Sequence, residues 1–324
     1  TCGRDCCGES GARSPADRVM NPTVGVYIAS HNRRADLART LRALAQLDPP
    51  PVEVIVLADG CTDGTAEFVA QSFPTVRLLE HAEAQGSIPS RNELAAGCRS
   101  EIFLSLDDDS YPIESDFIAR VSQCFAENLA LAVLSFPQRS DEFPETLTKT
   151  DFGPSHFIGS YANSGAAIRH AVFIALGGYP EFFRHAYEEP DFALRCVAAG
   201  WQVRQETSLT IRHHYTSAQR NELRMHQQHA RNEQWSVFLR CPAPYFVAVA
   251  LFRLLRQAGY ARRRGVSWLL REPLWWWDCL RGAAARLGER RPLPWRKYRA
   301  WMELVRHPIH SEEEWLAKFG KPEK

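Results

Sequence analysis

The sequence predicts an α/β fold built on a mostly parallel sheet. Short apolar runs alternate with segments whose apolar residues recur at helical spacing, the pattern of strands joined by crossover helices. The runs are apolar throughout rather than alternating, as expected of strands covered on both faces. Each run also ends in a polar or acidic cluster, and sheets of this kind bind ligands at the carboxyl ends of their strands.

Residues 23–29 form the first expected strand, followed by Ser30-His31-Asn32-Arg33. Leu37, Leu41, Leu44 and Leu47 then recur at helical spacing until Asp48-Pro49-Pro50-Pro51 stops the helix. A second strand over residues 52–57 ends in Ala58-Asp59-Gly60-Cys61-Thr62-Asp63-Gly64-Thr65, which offers glycine turns and a cap for a helix over residues 66–71. A third strand covers residues 76–79, and Arg91 and Asn92 lie on a helix of about residues 90–97. Tyr27 with His31, Asp59, and the run Asp107-Asp108-Asp109 are all expected at strand ends.

That run is the most informative stretch. The apolar residues 102–106 end in three consecutive carboxylates, whose mutual repulsion calls for a cation or a donor network. In an extended chain Asp107 and Asp109 share a face and converge on one ion, while Asp108 points elsewhere. Such hard oxygen ligands suit Mg²⁺ or Mn²⁺. The competing reading is an acidic loop that caps a helix after Pro112.

Further on, residues 137–160 read as a long irregular segment beside a site, and residues 161–169 as a strand. Its small residues Ser164, Gly165, Ala166 and Ala167 would admit either a substrate or a closely packed neighbour. Glu188-Glu189-Pro190-Asp191 opens a helix over residues 191–199, and carboxylates at a helix start are stabilised when ionised. His213 and His214 adjoin in a strand and must face opposite ways, so one of them can meet the site; both are candidates, with His214 the leading one.

These stretches carry a resemblance. Ile28-Ala29-Ser30-His31-Asn32-Arg33, the Ala58 to Thr65 turn, Ser90-Arg91-Asn92 and Leu106-Asp107-Asp108-Asp109 resemble, in order and spacing, family-2 glycosyltransferases of the GT-A fold. The resemblance continues through Asn163-Ser164-Gly165-Ala166-Ala167-Ile168-Arg169, Gly177-Gly178-Tyr179 and Glu188-Glu189-Pro190-Asp191. It implies a Rossmann-like, mixed but mostly parallel sheet and an inverting transfer from a nucleotide sugar. Tyr27, Ala29, Asn32, Arg33 and Asp59 would then form the nucleotide-sugar site, with Asp107 or Asp108 toward the ribose and Arg91 toward the diphosphate. Asp109, Asp107 and His214 would hold Mg²⁺ or Mn²⁺, and Glu189 would be the general base, with Glu188 as the other candidate. Two positions depart from the family pattern: Ala58 where an acidic residue is usual, and Cys61 where serine is usual. Ala58 leaves a second function open, that of a catalytically silent nucleotide-sugar-binding subunit of a membrane polysaccharide assembly.

Three parts are expected: a disordered extension over residues 1–21, a GT-A domain over 22–240 and a helical module over 241–324. The first 200 residues carry 16 Lys+Arg against 27 Asp+Glu, the remainder 23 against 11, and all nine tryptophans lie from Trp201 onward. A basic, tryptophan-rich helical module suits peripheral contact with an anionic membrane through residues 241–300. No nucleic-acid motif is present, no apolar run is long enough to span a bilayer, and the start lacks the apolar core of a signal peptide. Nine irregularly spaced cysteines match neither a disulfide framework nor a zinc site, so a cytoplasmic location is expected. By resemblance, UDP- or dTDP-sugars are the favoured donors and a saccharide or lipid-linked saccharide the acceptor.

Overall fold

A computed structural model describes residues 21–215 and 221–322. The expected extension over 1–21 therefore lies almost wholly outside the described residues. The leading half alternates as expected: β1 (Val24–Ser30), α1 (Arg34–Leu44), β2 (Val54–Asp59), α2 (Thr65–Ser72), β3 (Arg77–His81), α3 (Ser87–Ala96) and β4 (Ile102–Asp107). Val26, Ile28, Ile55, Val56, Leu57 and Leu104 are fully buried, which is why these runs show no polar alternation.

After the acidic turn come β5 (Ser110–Pro112), α4 (Phe117–Glu127), β6 (Leu131–Ser135), β7 (Gln138–Ser140), β8 (His156–Phe157), β9 (Ala166–Arg169), α5 (His170–Ala175), α6 (Glu188–Ala198), β10 (Gln202–Gln205) and β11 (Ile211–His213). The main sheet has eight strands in the order β3-β2-β1-β4-β9-β6-β10-β8. Only β9 and β8 run against their neighbours. A second sheet, β5-β11-β7, sits over the carboxyl end of β4. Because β5 intervenes between the three aspartates and α4, the acidic turn does not cap that helix.

Two expected elements are shorter or shifted. Residues 161–165 are not strand: Asn163–Gly165 form a single 3₁₀ turn, and only Ala166–Arg169 pair. Gly165 lies against Ile211, where an added Cβ would come within 2.6 Å of that side chain, so its smallness serves packing. Helix α6 starts at Glu188 rather than at Asp191, with Pro190 accommodated in its first turn.

Residues 241–324 do not all pack alike. Helices α7 (Glu222–Arg240), α8 (Tyr245–Arg264), α9 (Val266–Leu269) and α10 (Glu272–Ala285) form a layer tied to α7. The buried Glu233 of α7 accepts from Arg253 (2.8 Å) and Gln257 (2.7 Å) of α8. By contrast, α11 (Trp295–Leu304) and α12 (Glu312–Phe319) enter the core of the sheet. Trp301 Nε1 donates to Gly159 O (2.8 Å), and the Trp315 ring packs 4.8 Å from that of Phe157. Among the described residues no helix is long and apolar enough to cross a membrane.

Candidate active site

The acidic turn gathers at one point because three strands end there. Strand β1 pairs with β4 so that Ala29 lies beside Asp107. Strand β11 pairs antiparallel with β5, setting His213 opposite Ser110, one residue past Asp109. Asp107, Asp109 and His213 thereby bring one ligand atom each within 4.8 Å of one another. His213 Nε2 lies 3.3 Å from Asp109 Oδ1. The histidine expected at the site is therefore corrected. His214 points away, its Nε2 3.0 Å from the Tyr111 hydroxyl and its Nδ1 3.4 Å from Asp141. Register decides this, since adjacent strand residues face opposite ways and β5 sets which one meets Asp109.

Asp108 does point elsewhere, and its assignment toward the ribose is corrected. It is buried under α1, accepting from Ser30 Oγ (2.8 Å) and pairing with Arg33 Nη1 (2.9 Å). Burial, then the neighbouring aspartates, push its carboxyl up to about 7 despite Arg33. Asp109 behaves oppositely. Burial opposes its ionisation, but His213 and Arg33 hold its carboxyl below the usual range. Its Oδ1 is buried and makes no hydrogen bond among the described residues. Two carboxylates and one imidazole, with a buried carboxylate oxygen turned toward the imidazole, fit a Mg²⁺ or Mn²⁺ ion, and this cluster could hold one.

Arg91 of α3 links the turn to the expected base. Its Nη2 reaches Asp107 Oδ1 (2.5 Å) and its Nη1 reaches Glu188 Oε1 (3.0 Å). Glu188 is buried, whereas Glu189 is half-buried and lines a cleft of about 290 Å³ together with Arg91, Asp107, Asn163 and His229. Burial, followed by the charge of Glu188, pushes the Glu189 carboxyl up to about 8. The chain enters α6 under strain, with positive φ at Arg184 (60°), Ala186 (71°) and Tyr187 (70°). Such conformations in residues other than glycine persist where surrounding structure enforces them, commonly at sites.

Asn163 and Tyr179 lie in the family-like motifs, which assign them no role. Asn163 donates from Nδ2 to Glu188 Oε1 (3.3 Å) and from its backbone to Glu189 Oε1 (3.4 Å), and Tyr179 holds its side-chain oxygen (2.8 Å). Their position in the Asn163 and Gly177 motifs was the only sequence signal for them.

The nucleoside candidates divide. Tyr27 is a correction: its ring is buried mid-strand, stacked on Phe103, and its hydroxyl runs to Glu53 (2.9 Å) and Ser100 (3.2 Å), which precede β2 and β4 at their amino ends. Ala29 and Asp59 do lie at strand ends. Asp59 accepts from the backbone of Gln85 and Gly86 (both 2.8 Å) and sits 2.8 Å from His81 Nδ1. It thus shapes the loop that would border a base. Asn32, at φ 53°, accepts from Thr62 N (2.7 Å) and braces the neighbouring turn. Arg33 is occupied by aspartates alone: Asp36 (3.0 Å), Asp108 (2.9 Å) and Asp109 (2.7 Å).

Residues 25–189 match the model of glycosyl transferase family 2. The chain belongs to that family. Among curated relatives of this family-2 chain is the uncharacterised glycosyltransferase YibD of Escherichia coli strain K12, 33% identical over 102 residues, 29% of either protein. Another is an uncharacterised glycosyltransferase of Haemophilus influenzae, 23% identical over 184 residues, 54% of this chain and 62% of the relative. The chain thus spans less than two thirds of each relative's length. Among solved structures, the mannosyltransferase PcManGT of Pyrobaculum calidifontis, in complex with GDP-Man and Mn²⁺, superposes with a TM-score of 0.57 at 18% identity, covering 89% of this chain and 85% of that one. S. aureus TarS with UDP-GlcNAc does so with a TM-score of 0.60 at 14% identity, covering 88% and 91%. These likenesses establish the GT-A fold.

Proposed function

We propose that the protein is an inverting, metal-dependent glycosyltransferase that moves a hexosyl or deoxyhexosyl group from a nucleoside-diphosphate sugar to an acceptor hydroxyl. One observation carries this reading: Arg91 joins Asp107, a member of the Asp107–Asp109–His213 cluster, to Glu188, and all three line one cleft with Glu189. Asp109, Asp107 and His213 would hold Mg²⁺ or Mn²⁺, which when bound supplies positive charge for the departing diphosphate. Glu189 accepts the proton of the acceptor hydroxyl. That oxygen then bonds to the anomeric carbon from the face opposite the diphosphate, whose oxygen leaves with the electron pair of the broken bond. Asn163 and Arg91 keep the two glutamates in place during this exchange. UDP- and dTDP-sugars remain the favoured donors; the neighbours hold GDP-Man and UDP-GlcNAc, so donor choice is open to direct screening.

The acceptor is proposed to be a glycan or lipid-linked saccharide met at a cytoplasmic membrane face. Leu251, Leu255, Leu270, Leu274, Trp277 and Leu280 of α8–α10 are all more than half exposed. Residues 241–300 carry 13 Lys+Arg against 3 Asp+Glu. An anionic lipid surface complements this face in both respects. A second copy of the chain would instead set arginines against arginines.

The test is nucleoside diphosphate release from a panel of UDP-, dTDP- and GDP-sugars with Mn²⁺ and candidate saccharide acceptors. Glu189→Gln should lower turnover by roughly 10²–10⁴-fold while donor binding persists. Asp109→Asn should abolish the metal-dependent part of donor binding. Near-normal turnover in the first, or unchanged calorimetric affinity in the second, would reject the assigned role.

A further inference from the structure

The geometry points to Arg33 as the residue that sets how strongly the acidic turn attracts a cation, so that the cation and the diphosphate must enter together. Three successive aspartates ought to bind a divalent ion on charge alone. Here they meet two fixed guanidinium groups. Arg33 bridges Asp108 Oδ1 (2.9 Å) and Asp109 Oδ2 (2.7 Å), and Arg91 holds Asp107 Oδ1 (2.5 Å). Both carboxylates of the Asp107–Asp109–His213 cluster are thus already paired once with a guanidinium, and Asp109 keeps its buried Oδ1 toward His213. A bare divalent ion approaching the cluster meets two nearby positive charges, and in a partly buried site these are weakly screened.

A diphosphate reverses the balance. Its oxygens offer the Arg33 fork acceptors of the geometry that guanidinium binds bidentately. Turning to them would release Asp109 Oδ2 to the cation at the moment the anion arrives. Asp36 shares the same guanidinium at 3.0 Å and draws part of its charge away from the turn. Arg33 would then be a positioning residue that makes the cluster selective for a cation and diphosphate together.

This inference rests on the cation reading of the turn, and the experiment separates the two. Mn²⁺ alone is titrated against the full chain, and the free-ion paramagnetic resonance signal is followed. Arg33→Gln should bind Mn²⁺ about tenfold tighter than the parent, because one partly buried positive charge is gone. Arg33→Lys, which keeps the charge, should stay close to the parent. Loss of a merely structural residue would loosen the site instead, so unchanged or weaker Mn²⁺ binding by Arg33→Gln overturns the inference. Should that variant not fold, Asp36→Asn leaves Arg33 wholly on the turn and should weaken Mn²⁺ binding severalfold; unchanged or tighter binding there also overturns it. Mn²⁺ bound equally by parent and variants removes Arg33 from this role alone. A parent that binds no Mn²⁺, with or without UDP or GDP, removes the cation reading as well.

Discussion

Glu189, as the proposed base, would tie the ionisation of one side chain to the rate of the whole reaction. Burial and then Glu188 raise its pKa, so in the free protein the carboxyl holds its proton around neutrality. Only the ionised form can accept the acceptor's proton. The expected kcat/KM therefore climbs with pH along a limb well above the ordinary glutamate range of about 4.3. Glu188→Gln removes the adjacent negative charge and should shift that limb toward acid. A limb that stays put in a pH–rate series would argue against Glu189 as the base. At this scale the sequence was informative wherever chemistry alone restricts a residue. Three adjoining carboxylates call for a cation or a donor network, alternate residues of a strand share a face, and Asp107 and Asp109 do lie together. It was uninformative where the answer depended on a distant partner. Nothing local distinguishes His213 from His214; the pairing of β11 with β5, about a hundred residues earlier, does. Tyr27 misled for a similar reason. An apolar run does not disclose that its one phenol reaches back to Glu53 and Ser100.

Among the elements, α6 is held more firmly than its charged sequence implies. Asp191 is fully buried and accepts from Arg195 (2.9 Å) on its own helix, and from Ser236 (2.8 Å) and Arg240 (3.1 Å) on α7. Burial resists its charge, but these partners keep its carboxyl below the usual range. Asp191→Ala would take the carboxylate partner from both Arg195 and Arg240, leaving Arg195 only the carbonyls of Leu176 and Gly178, at a cost of about 3–5 kcal/mol. Equilibrium urea unfolding should show this as a lowered midpoint with an unchanged slope. A shift near zero would mean the arginines find other partners. Strands β1, β2 and β4 were readable as elements because near-complete burial makes them almost uniformly apolar. The start of α6 was not, since the strained approach through Arg184, Ala186 and Tyr187 leaves no mark in residue type.

Across the whole molecule, the division of charge visible in the sequence becomes a division of surface. The acidic excess belongs to residues 1–200, while arginines and exposed leucines gather on α8–α10. Flotation with anionic vesicles should recover the protein at low salt and lose it as salt rises. A Leu255→Glu, Leu274→Glu double variant should lose most of that recovery, and both positions lie away from the cleft. Equal recovery with neutral vesicles would count against the basic face. That α11 and α12 complete the sheet's core was hidden by their charged composition, basic in α11 and acidic in α12, which their buried Trp301 and Trp315 contradict. A last consequence comes from β11. The recognisable family segment stops at Glu189, yet the imidazole beside Asp109 arrives 24 residues later on a strand that closes the smaller sheet. On the proposed function the smallest working unit is longer than the recognisable one. A ribosome releasing this chain cannot finish the proposed cation pocket until β11 has emerged, so truncations ending near residue 189 should be inert even where they fold.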